Sequence, residues 1–273
     1  MRTLPALAAA VAATPLKRPH PEAPLPQVRL TREAVPAPAR LTRYAELCGF
    51  TGRGDGTLPL PYPHVLGFPL AMRLMSRRDF PLPLLGLVHT WITLDRHAPL
   101  TAADRLHLTV HAESLTPHRR GTEVTIVTEA RVAGELVWES RSGYLARHST
   151  AHQGDTAPGT ASDAPLLPAV TEWRLPAGLG RRYGAVSGDR NPIHLHPLTA
   201  RAFGFPRAIA HGMWTFARCL AEHDGVTRAQ ARFRAPVLLP ATVTYAADPA
   251  TGAFQLRSGE RVHLSGETSA RSA

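Results

Sequence analysis

Residues 183–194 read YGAVSGDRNPIH, and residues 44–50 begin in the same way with YAELCGF. Both stretches place three residues after a tyrosine, then a small cysteine or serine, and then a glycine. Each stretch is followed by a histidine, His64 or His211, which precedes an apolar run with helical spacing. The same features in the same order indicate that the chain contains two related halves.

Segments with alternating apolar and polar residues follow each helical run, and they are rich in β-branched residues. They are LHLTVHAESL at 106–115, TEVTIVTEARV at 122–132, ATVTYAA at 241–247, AFQLRS at 253–258 and RVHLSGE at 261–267. One apolar helix beside an antiparallel sheet buries its surface only if the sheet curves around it. The sequence therefore predicts an α+β fold in which each half is an antiparallel sheet wrapped around a long central helix.

Composition divides the chain into four parts. Proline is frequent near the N-terminus, and the stretch STAHQGDTAPGTASDAPLLP has the small, polar residues of a linker. We therefore predict an N-terminal tail or irregular segment at 1–40, a first module at 41–148, a linker at 149–168 and a second module at 169–273.

The N-terminal residues MRTLPALAAAVAATPLKRP resemble a signal peptide in their early arginine and short apolar run. Pro5 interrupts that run, which favours a short helix or a tail. No later stretch approaches the roughly 20 apolar residues of a membrane span. Two cysteines are too few for a disulfide framework. We therefore expect a soluble, cytoplasmic protein without a membrane span.

The net charge of +10 comes almost entirely from arginine, since Lys17 is the only lysine. Such a charge suits nucleic acid, an acidic carrier protein or a phosphate-bearing cofactor. The arginines are scattered and form no basic run interleaved with aromatic residues. We therefore expect no nucleic-acid partner.

The second half carries an insertion, because Tyr183 and His211 are 28 residues apart whereas the matching tyrosine and histidine of the first half are 20 apart. The insertion contains Asp189, Asn191 and His194. Pro192 restricts the backbone here and predicts a rigid, non-helical turn. A carboxylate and an imidazole that converge on such a turn can exchange protons near neutral pH. The alternative is a purely structural Asx-turn with a histidine cap.

Gly212 follows His211 at the start of the most apolar helical run of this half. Helix N-termini carry unpaired N–H groups and a positive dipole end. Glycine permits close approach to this backbone, so a carbonyl placed there would be polarised as in an oxyanion hole. The alternative is that His211 only caps the helix.

The combined pattern Y-x-x-x-S-G-D-x-N-P-I-H and G-F-x-x-x-I-A-H-G-M resembles the MaoC-like dehydratase or (R)-specific enoyl-CoA hydratase family. Two-module 3-hydroxyacyl-thioester dehydratases of actinobacterial type are the most similar members. The resemblance implies a double hotdog fold and reversible hydration of acyl thioesters. It also implies that Asp189 and His194 hold the reacting water, that Asn191 assists, and that the Gly212 N–H receives the thioester oxygen.

Further expectations follow from the resemblance. The substrate is an acyl-CoA or acyl-ACP thioester, with acyl carrier protein as a potential partner, and no metal or redox cofactor is needed. We expect substrate contacts from Ser187, Gly188, His211, Phe205 and Phe50. His196 stands where many relatives have Asp, Asn or Ser, and we assign it to capping the next short helix. The chain is expected to be a monomer with an internal pseudo-dimer, or a homodimer.

The first half lacks the acid–base residues, because Phe50 stands where the second half has Asp189. We interpret it as a non-catalytic module that either lines an acyl tunnel, with FPLPLLGLVH as its apolar segment, or only closes the sheet. Two alternatives to the dehydratase remain. One is a thioesterase on the same fold, and the other is a non-catalytic acyl-binding module of a biosynthetic complex.

Overall fold

A computed structural model describes residues 17, 19–50, 56–149 and 165–270 of the chain. Its helices are α1 (Pro38–Cys48), α2 (Tyr62–Met75), α3 (Leu179–Ser187), α4 (Pro192–Leu195), α5 (Pro197–Ala202) and α6 (Gly212–Leu220). Its strands are β1 (Leu30–Ala34), β2 (Val88–Arg96), β3 (Leu106–His118), β4 (Gly121–Val132), β5 (Glu135–Arg147), β6 (Ala169–Leu175), β7 (Arg228–Phe233), β8 (Ala241–Asp248), β9 (Ala253–Ser258) and β10 (Arg261–Ser269).

The strands form one antiparallel sheet in the order β1-β3-β4-β5-β2-β7-β10-β9-β8-β6. The five strands of the second half repeat the order of the first half in reverse. The two halves meet where β2 pairs with β7, and Thr93 opposite Gln230 lies at the middle of this joint. Trp91 pairs with Arg232 and Asp95 with Arg228 on either side of that point. The sheet thus has an internal pseudo-twofold arrangement.

Backbone contacts beyond the joint repeat as well. The N–H groups of His97 and Ala98 both donate to Val137 O, and those of Arg234 and Ala235 both donate to His263 O. These two pairs follow β2 and β7, respectively, and bind the last strand of their own half. Together with the strand order, they support the predicted duplication and confirm the double hotdog fold.

Each half of the ten-stranded sheet packs on its own central helix. Leu66, Leu70 and Leu74 of α2 are almost completely buried in the same core as Leu108 of β3. Burying one such side chain stabilises the fold by about 1.5–3 kcal/mol. In the second half, the ring of Phe216 on α6 stacks on a phenylalanine of β9 with centroids 6.3 Å apart. The helix α6 has only 9 residues against 14 in α2, so the second central helix is shorter than expected.

The first module begins upstream of its predicted boundary at residue 41. Leu30 in β1 pairs with Val110 in β3, so β1 is an edge strand of the first sheet rather than part of a tail. The helix α1 also starts before the boundary, at Pro38. The strand β6 starts at Ala169, where the second module was predicted to start.

Two predicted segments lie largely outside the described residues. They are the apolar N-terminal stretch, of which 1–16 and 18 are not described, and the linker, of which 150–164 are not described. Within the described ranges, no helix has both the length and the apolar character required to cross a lipid bilayer.

Candidate active site

The Asp189 carboxylate is held by a turn that follows α3. Gly188 ends the helix with a φ of 85°, a left-handed conformation that glycine adopts without strain. The Asp189 N–H donates to Ser187 Oγ at 3.1 Å, and Asp189 Oδ1 accepts the N–H of Asn191 at 3.1 Å. The Asp189 side chain keeps 27% of its surface exposed. Its carboxylate is therefore fixed in direction and accessible.

Asn191 and Pro192 start α4, a single helical turn. The side-chain oxygen of Asn191 accepts the Ile193 N–H at 3.4 Å and caps this turn. Proline suits the first helical position because its missing N–H would be unpaired there. The prediction of a non-helical loop is therefore wrong at this point, since Pro192 begins a helical turn. The cap of this turn is Asn191 itself, whereas the structural alternative named a histidine cap.

His194 lies on α4 and is 8% exposed. Its Nδ1–H donates to Ile209 O at 2.9 Å, while the Ile209 N–H donates to Ile193 O at 3.1 Å. Because a carbonyl oxygen can only accept, Nδ1 carries the proton of the neutral ring. The other nitrogen, Nε2, is left with a free lone pair and can act as a base.

His211 contacts both Asp189 and His194. Its Nε2–H donates to the backbone oxygen of Asp189 at 3.0 Å, and its ring stacks on that of His194 with centroids 3.7 Å apart. His211 is 2% exposed and makes no side-chain capping bond to α6. Neither His211 nor the buried Ser187 presents a surface to a ligand, so the structure places both as supports for Asp189 rather than as substrate contacts.

Gly212 is the first residue of α6. Its N–H has no intrahelical acceptor and lies at the positive end of the helix dipole. A Cβ on Gly212 would lie 3.0 Å from Cε1 of Phe233. A ring of β7 therefore fills the space beside the Cα of this glycine.

Burial sets the charge of both imidazoles. It lowers the pKa of His194, and the negative charge of Asp189 and the hydrogen bond to Ile209 raise this pKa only in part. Burial also holds the pKa of His211 well below the usual range, and the adjacent His194 lowers it further. Both rings are thus neutral at neutral pH. The site contains one carboxylate and two imidazole nitrogens that make no hydrogen bond within the described residues, Nε2 of His194 and the buried Nδ1 of His211.

Asp189, His194 and His211 bring potential metal-ligating atoms within 4.8 Å of one another. Two of the four ring nitrogens are already committed, because Nδ1 of His194 and Nε2 of His211 donate to backbone carbonyls. The two remaining nitrogens are Nε2 of His194 and Nδ1 of His211.

The first half repeats the backbone of this site without its carboxylate. Phe50 follows Gly49, whose φ is 85°, just as Asp189 follows a glycine with the same φ. Phe50 is 5% exposed and stacks on Tyr44 with centroids 6.4 Å apart. His64 occupies the position that matches His211 and hydrogen-bonds to a serine of β5. The structure thus places Phe50 in the core rather than at the surface of a tunnel.

Phe205 and His196 lie on either side of α5. The Phe205 N–H donates to Ala200 O, and the Phe205 side chain is half-buried. His196 caps α5 as expected, with Nδ1 accepting the Leu198 N–H at 3.2 Å.

Arg40 of α1 is a support that the sequence analysis missed. Its Nε donates to Val186 O at 2.6 Å and its Nη2 to Ser187 O at 2.9 Å. These bonds satisfy carbonyls at the end of α3, directly before the Asp189 turn. The first half therefore holds the Asp189 turn in place. Arg40 and Val186 are 146 residues apart, so the sequence near Asp189 gave no signal of this contact.

Residues 177–248 match the MaoC like domain. The chain is also 38% identical over 223 residues to 3-hydroxyacyl-thioester dehydratase X of Mycobacterium tuberculosis. The aligned region covers 80% of this chain and 79% of that protein. The chain belongs to the MaoC-like dehydratase family. The matched domain contains Asp189, His194 and Gly212, so the family relation covers the half in which the structure assembles the site.

Solved structures agree with the MaoC-like assignment. The crystal structure of HtdX from Mycobacterium tuberculosis is 34% identical and covers 90% of this chain and 100% of that chain, with a TM-score of 0.78. A second protein of the same organism, described as having a double hotdog fold, is 12% identical and covers 92% of this chain and 97% of that chain, with a TM-score of 0.52. The second likeness concerns the fold alone, which the strand order supports independently.

Proposed function

We propose that this MaoC-like protein interconverts trans-2-enoyl thioesters and (R)-3-hydroxyacyl thioesters by adding or removing water, in fatty-acid or related lipid or polyketide metabolism. The observation that carries the proposal is the neutral His194, which keeps a free Nε2 and brings a ring nitrogen within 4.8 Å of an Asp189 carboxylate oxygen. A binding module has no use for such a pair. The name of the mycobacterial relative, a 3-hydroxyacyl-thioester dehydratase, supports the same reaction class.

The proposed roles supply the three requirements of the elimination. A base must take the C2 proton, an acid must protonate the departing C3 oxygen, and the enolate-like thioester oxygen needs a donor. Asp189 and His194 exchange the two protons as one coupled pair. The Gly212 N–H, at the start of α6, receives the thioester oxygen. In hydration the same groups hold and activate the water.

The substrate is proposed to arrive on coenzyme A or acyl carrier protein, and the net charge of +10 favours either anionic carrier. No metal or redox cofactor is part of the proposed reaction, since the thioester activates its own C2 proton. The buried free thiols of Cys48 and Cys219 suit a reducing cytoplasm. The β2–β7 joint supports a monomer with an internal pseudo-dimer, and a homodimer of such chains is the other proposed state.

The test is a series of trans-2-enoyl-CoA substrates from four carbons upward, with enoyl absorbance and free thiol followed together. We expect loss of the enoyl signal without thiol release, and an (R) product by chiral analysis. If an acyl tunnel is present, kcat/KM should rise several-fold per added pair of carbons, because each buried methylene contributes about 0.8 kcal/mol. A metal chelator should leave the rate unchanged.

Other results would contradict the proposal. Thiol release would identify a thioesterase, and binding without any reaction would identify an acyl-binding module. An (S) product would contradict the stereochemical assignment.

The pH dependence provides a second prediction. Because burial lowers the pKa of His194, its Nε2 stays unprotonated below the ordinary histidine value near 6.5. We expect kcat/KM to hold its plateau as the pH falls through about 6.5 and to decline only in more acidic solution. The measurement is a profile of kcat/KM against pH, and an acid limb centred at or above about 6.5 would contradict it.

Stability has to be followed in the same profile. A histidine with a lowered pKa in the folded chain contributes stability that is present above the unfolded pKa and is lost as the pH falls. His64 has its pKa lowered by burial to about 4, so it adds to this loss in acid. Unfolding transitions at each pH therefore separate loss of fold from protonation of the catalytic pair.

A further inference from the structure

The helix α1 of the first half contacts the catalytic half near both of its ends. Near its start, Arg40 binds two carbonyls at the end of α3, directly before the Asp189 turn. Near its end, the backbone oxygen of Leu47 accepts the indole Nε1–H of Trp214 at 3.0 Å. Trp214 lies in the first turn of α6, two residues after Gly212. One helix of the non-catalytic half therefore joins the element that holds the carboxylate to the element that offers the proposed carbonyl donor.

The contact between α6 and the end of α1 involves two side chains of α6. Carbonyls in the last turn of a helix lack an intrahelical partner, and Trp214 supplies one to Leu47, the last residue but one of α1. The Trp214 side chain is 4% exposed, so packing fixes the indole. Arg218 lies one turn further along α6, and a Cβ on Gly49 would lie 2.9 Å from its Nη1. Because residues four apart share a helix face, one face of α6 is held against the C-terminal end of α1.

Buried rings fill the space between the two ends of α1. Tyr44, in the middle of α1, contacts the ring of Tyr183 on α3 with centroids 6.2 Å apart. Tyr183 in turn contacts the ring of His211 with centroids 4.9 Å apart. All three rings are almost completely buried. A close-packed row of this kind allows little adjustment, so α1, α3 and the start of α6 form one rigid unit.

This unit matters for the reaction because the substrate has a fixed length. Its C2 and C3 atoms have to meet the Asp189 and His194 pair while its thioester oxygen meets the Gly212 N–H. The anchors Arg40 and Leu47 are seven residues apart, which is about 10 Å along a helix. A misplacement of about 1 Å in a reacting group costs roughly 100-fold in rate. A helix anchored at both ends can keep the two parts of the site at a constant separation.

We propose that α1 sets the separation between the Asp189 carboxylate and the Gly212 N–H, and that Trp214 is the positioning residue for Gly212. This inference rests on the proposed hydration reaction and assigns the first half a part in it. Trp214 acts only through the position of the first turn of α6. The non-catalytic half thereby contributes to the rate without supplying a reacting group.

Trp214→Phe tests the positioning role because it removes the indole N–H and keeps an aromatic ring. We expect kcat per folded molecule to fall about five- to ten-fold, as for loss of one hydrogen bond. KM should change by less than about two-fold, since the Gly212 N–H acts mainly on the charge that the thioester oxygen gains in the transition state. The measurement is steady-state kinetics on a wild-type substrate, with the folded fraction taken from thermal unfolding.

Trp138→Phe is the matched control. The Trp138 indole is also buried, and its Nε1–H donates to the backbone oxygen of Leu60 at 2.9 Å within the first half. The same change therefore removes the same kind of hydrogen bond from the core. Stability should fall in both variants, whereas kcat per folded molecule should fall in Trp214→Phe alone.

A double variant tests whether one helix sets the separation. Arg40→Met keeps an apolar stem and removes the donors to the end of α3. If both anchors hold one distance, losing either releases it, and the double variant with Trp214→Phe should have a kcat within about two-fold of the more impaired single variant. Losses that multiply would show two independent contacts and overturn the role of α1.

The remaining outcomes separate this inference from the function on which it rests. An unchanged kcat in Trp214→Phe, a rise in KM alone, or an equal fall in Trp138→Phe overturns the positioning role while the wild-type chain still hydrates its substrate. A wild-type chain that hydrates no enoyl thioester overturns the proposed function and the positioning role with it.

Discussion

Asp189→Asn and His194→Gln should each lower kcat for hydration by about two to four orders of magnitude, the range found for general acid–base groups. The asparagine keeps an oxygen that can accept the Asn191 N–H, so the turn should persist without its exchangeable proton. The glutamine places an amide near the position of Nε2 and has no basic nitrogen there. The measurement is steady-state kinetics with an enoyl-CoA of the preferred chain length.

Two control variants match these changes in local structure. Asp248 Oδ1 accepts the N–H of Ala250 two residues further on, as Asp189 does with its own neighbour, so Asp248→Asn repeats the same change away from the site. His196→Asn keeps a side chain that can cap α5. Both controls should retain nearly full activity. If Asp189→Asn or His194→Gln kept more than about a tenth of wild-type turnover, the pair would not carry the reaction.

The catalytic turn could be predicted from the sequence because its geometry is local. The rigid backbone at Pro192 was predicted, but the helical turn α4 that it begins was not, because proline suits both a turn and a first helical position. Asp189 and Asn191 each accept an N–H two residues ahead. Such contacts depend only on the order of neighbouring residues. The duplication could be predicted for a similar reason, since the repeated order of tyrosine, glycine and histidine reflects two halves with the same chain path.

The supporting residues could not be predicted because their contacts are made between distant parts of the chain. His211 acts through the backbone oxygen of Asp189, and a carbonyl leaves no sequence pattern. Arg40 belongs to the other half, and it reaches the end of α3 only after the two halves have joined. Each of these residue types is ordinary in its own helix or strand.

The strand β1 was missed because its side chains give a weak pattern. The segment LTREA is short, half-exposed and lies in a proline-rich region, which is typical of an irregular segment. As an edge strand it pairs with β3 only, and edge strands carry polar and charged residues that limit further pairing. The strand β1 can be assigned only once its partner β3 is known, and the periodicity of apolar residues in β1 does not identify that partner.

Gly180→Ala should lower kcat by about 100-fold or more, although Gly180 lies outside the catalytic turn. A Cβ at this position would lie 1.9 Å from the backbone oxygen of His194, a distance that no packing allows. Either α3 or α4 must move, and α4 carries the imidazole. A shift of about 1 Å in a reacting group costs roughly this much in rate.

A graded series of glycine variants makes the prediction sharp. A Cβ on Gly184 would lie 2.7 Å from Asp189 O, a smaller overlap, so Gly184→Ala should give an intermediate loss of kcat. A Cβ on Gly178 would meet only the end of the flexible Arg181 side chain, at 3.6 Å, so Gly178→Ala should behave as wild type.

Thermal unfolding of each variant shows the fraction folded under assay conditions. Alanine favours a helix over glycine at the two helical positions, Gly180 and Gly184, whereas Gly178 is the N-cap of α3. A loss of kcat per folded molecule at Gly180 and Gly184 that follows the order of overlap therefore has to come from displacement of the catalytic pair. Equal activity in all three variants would show that the tight contact between α3 and α4 does not position His194.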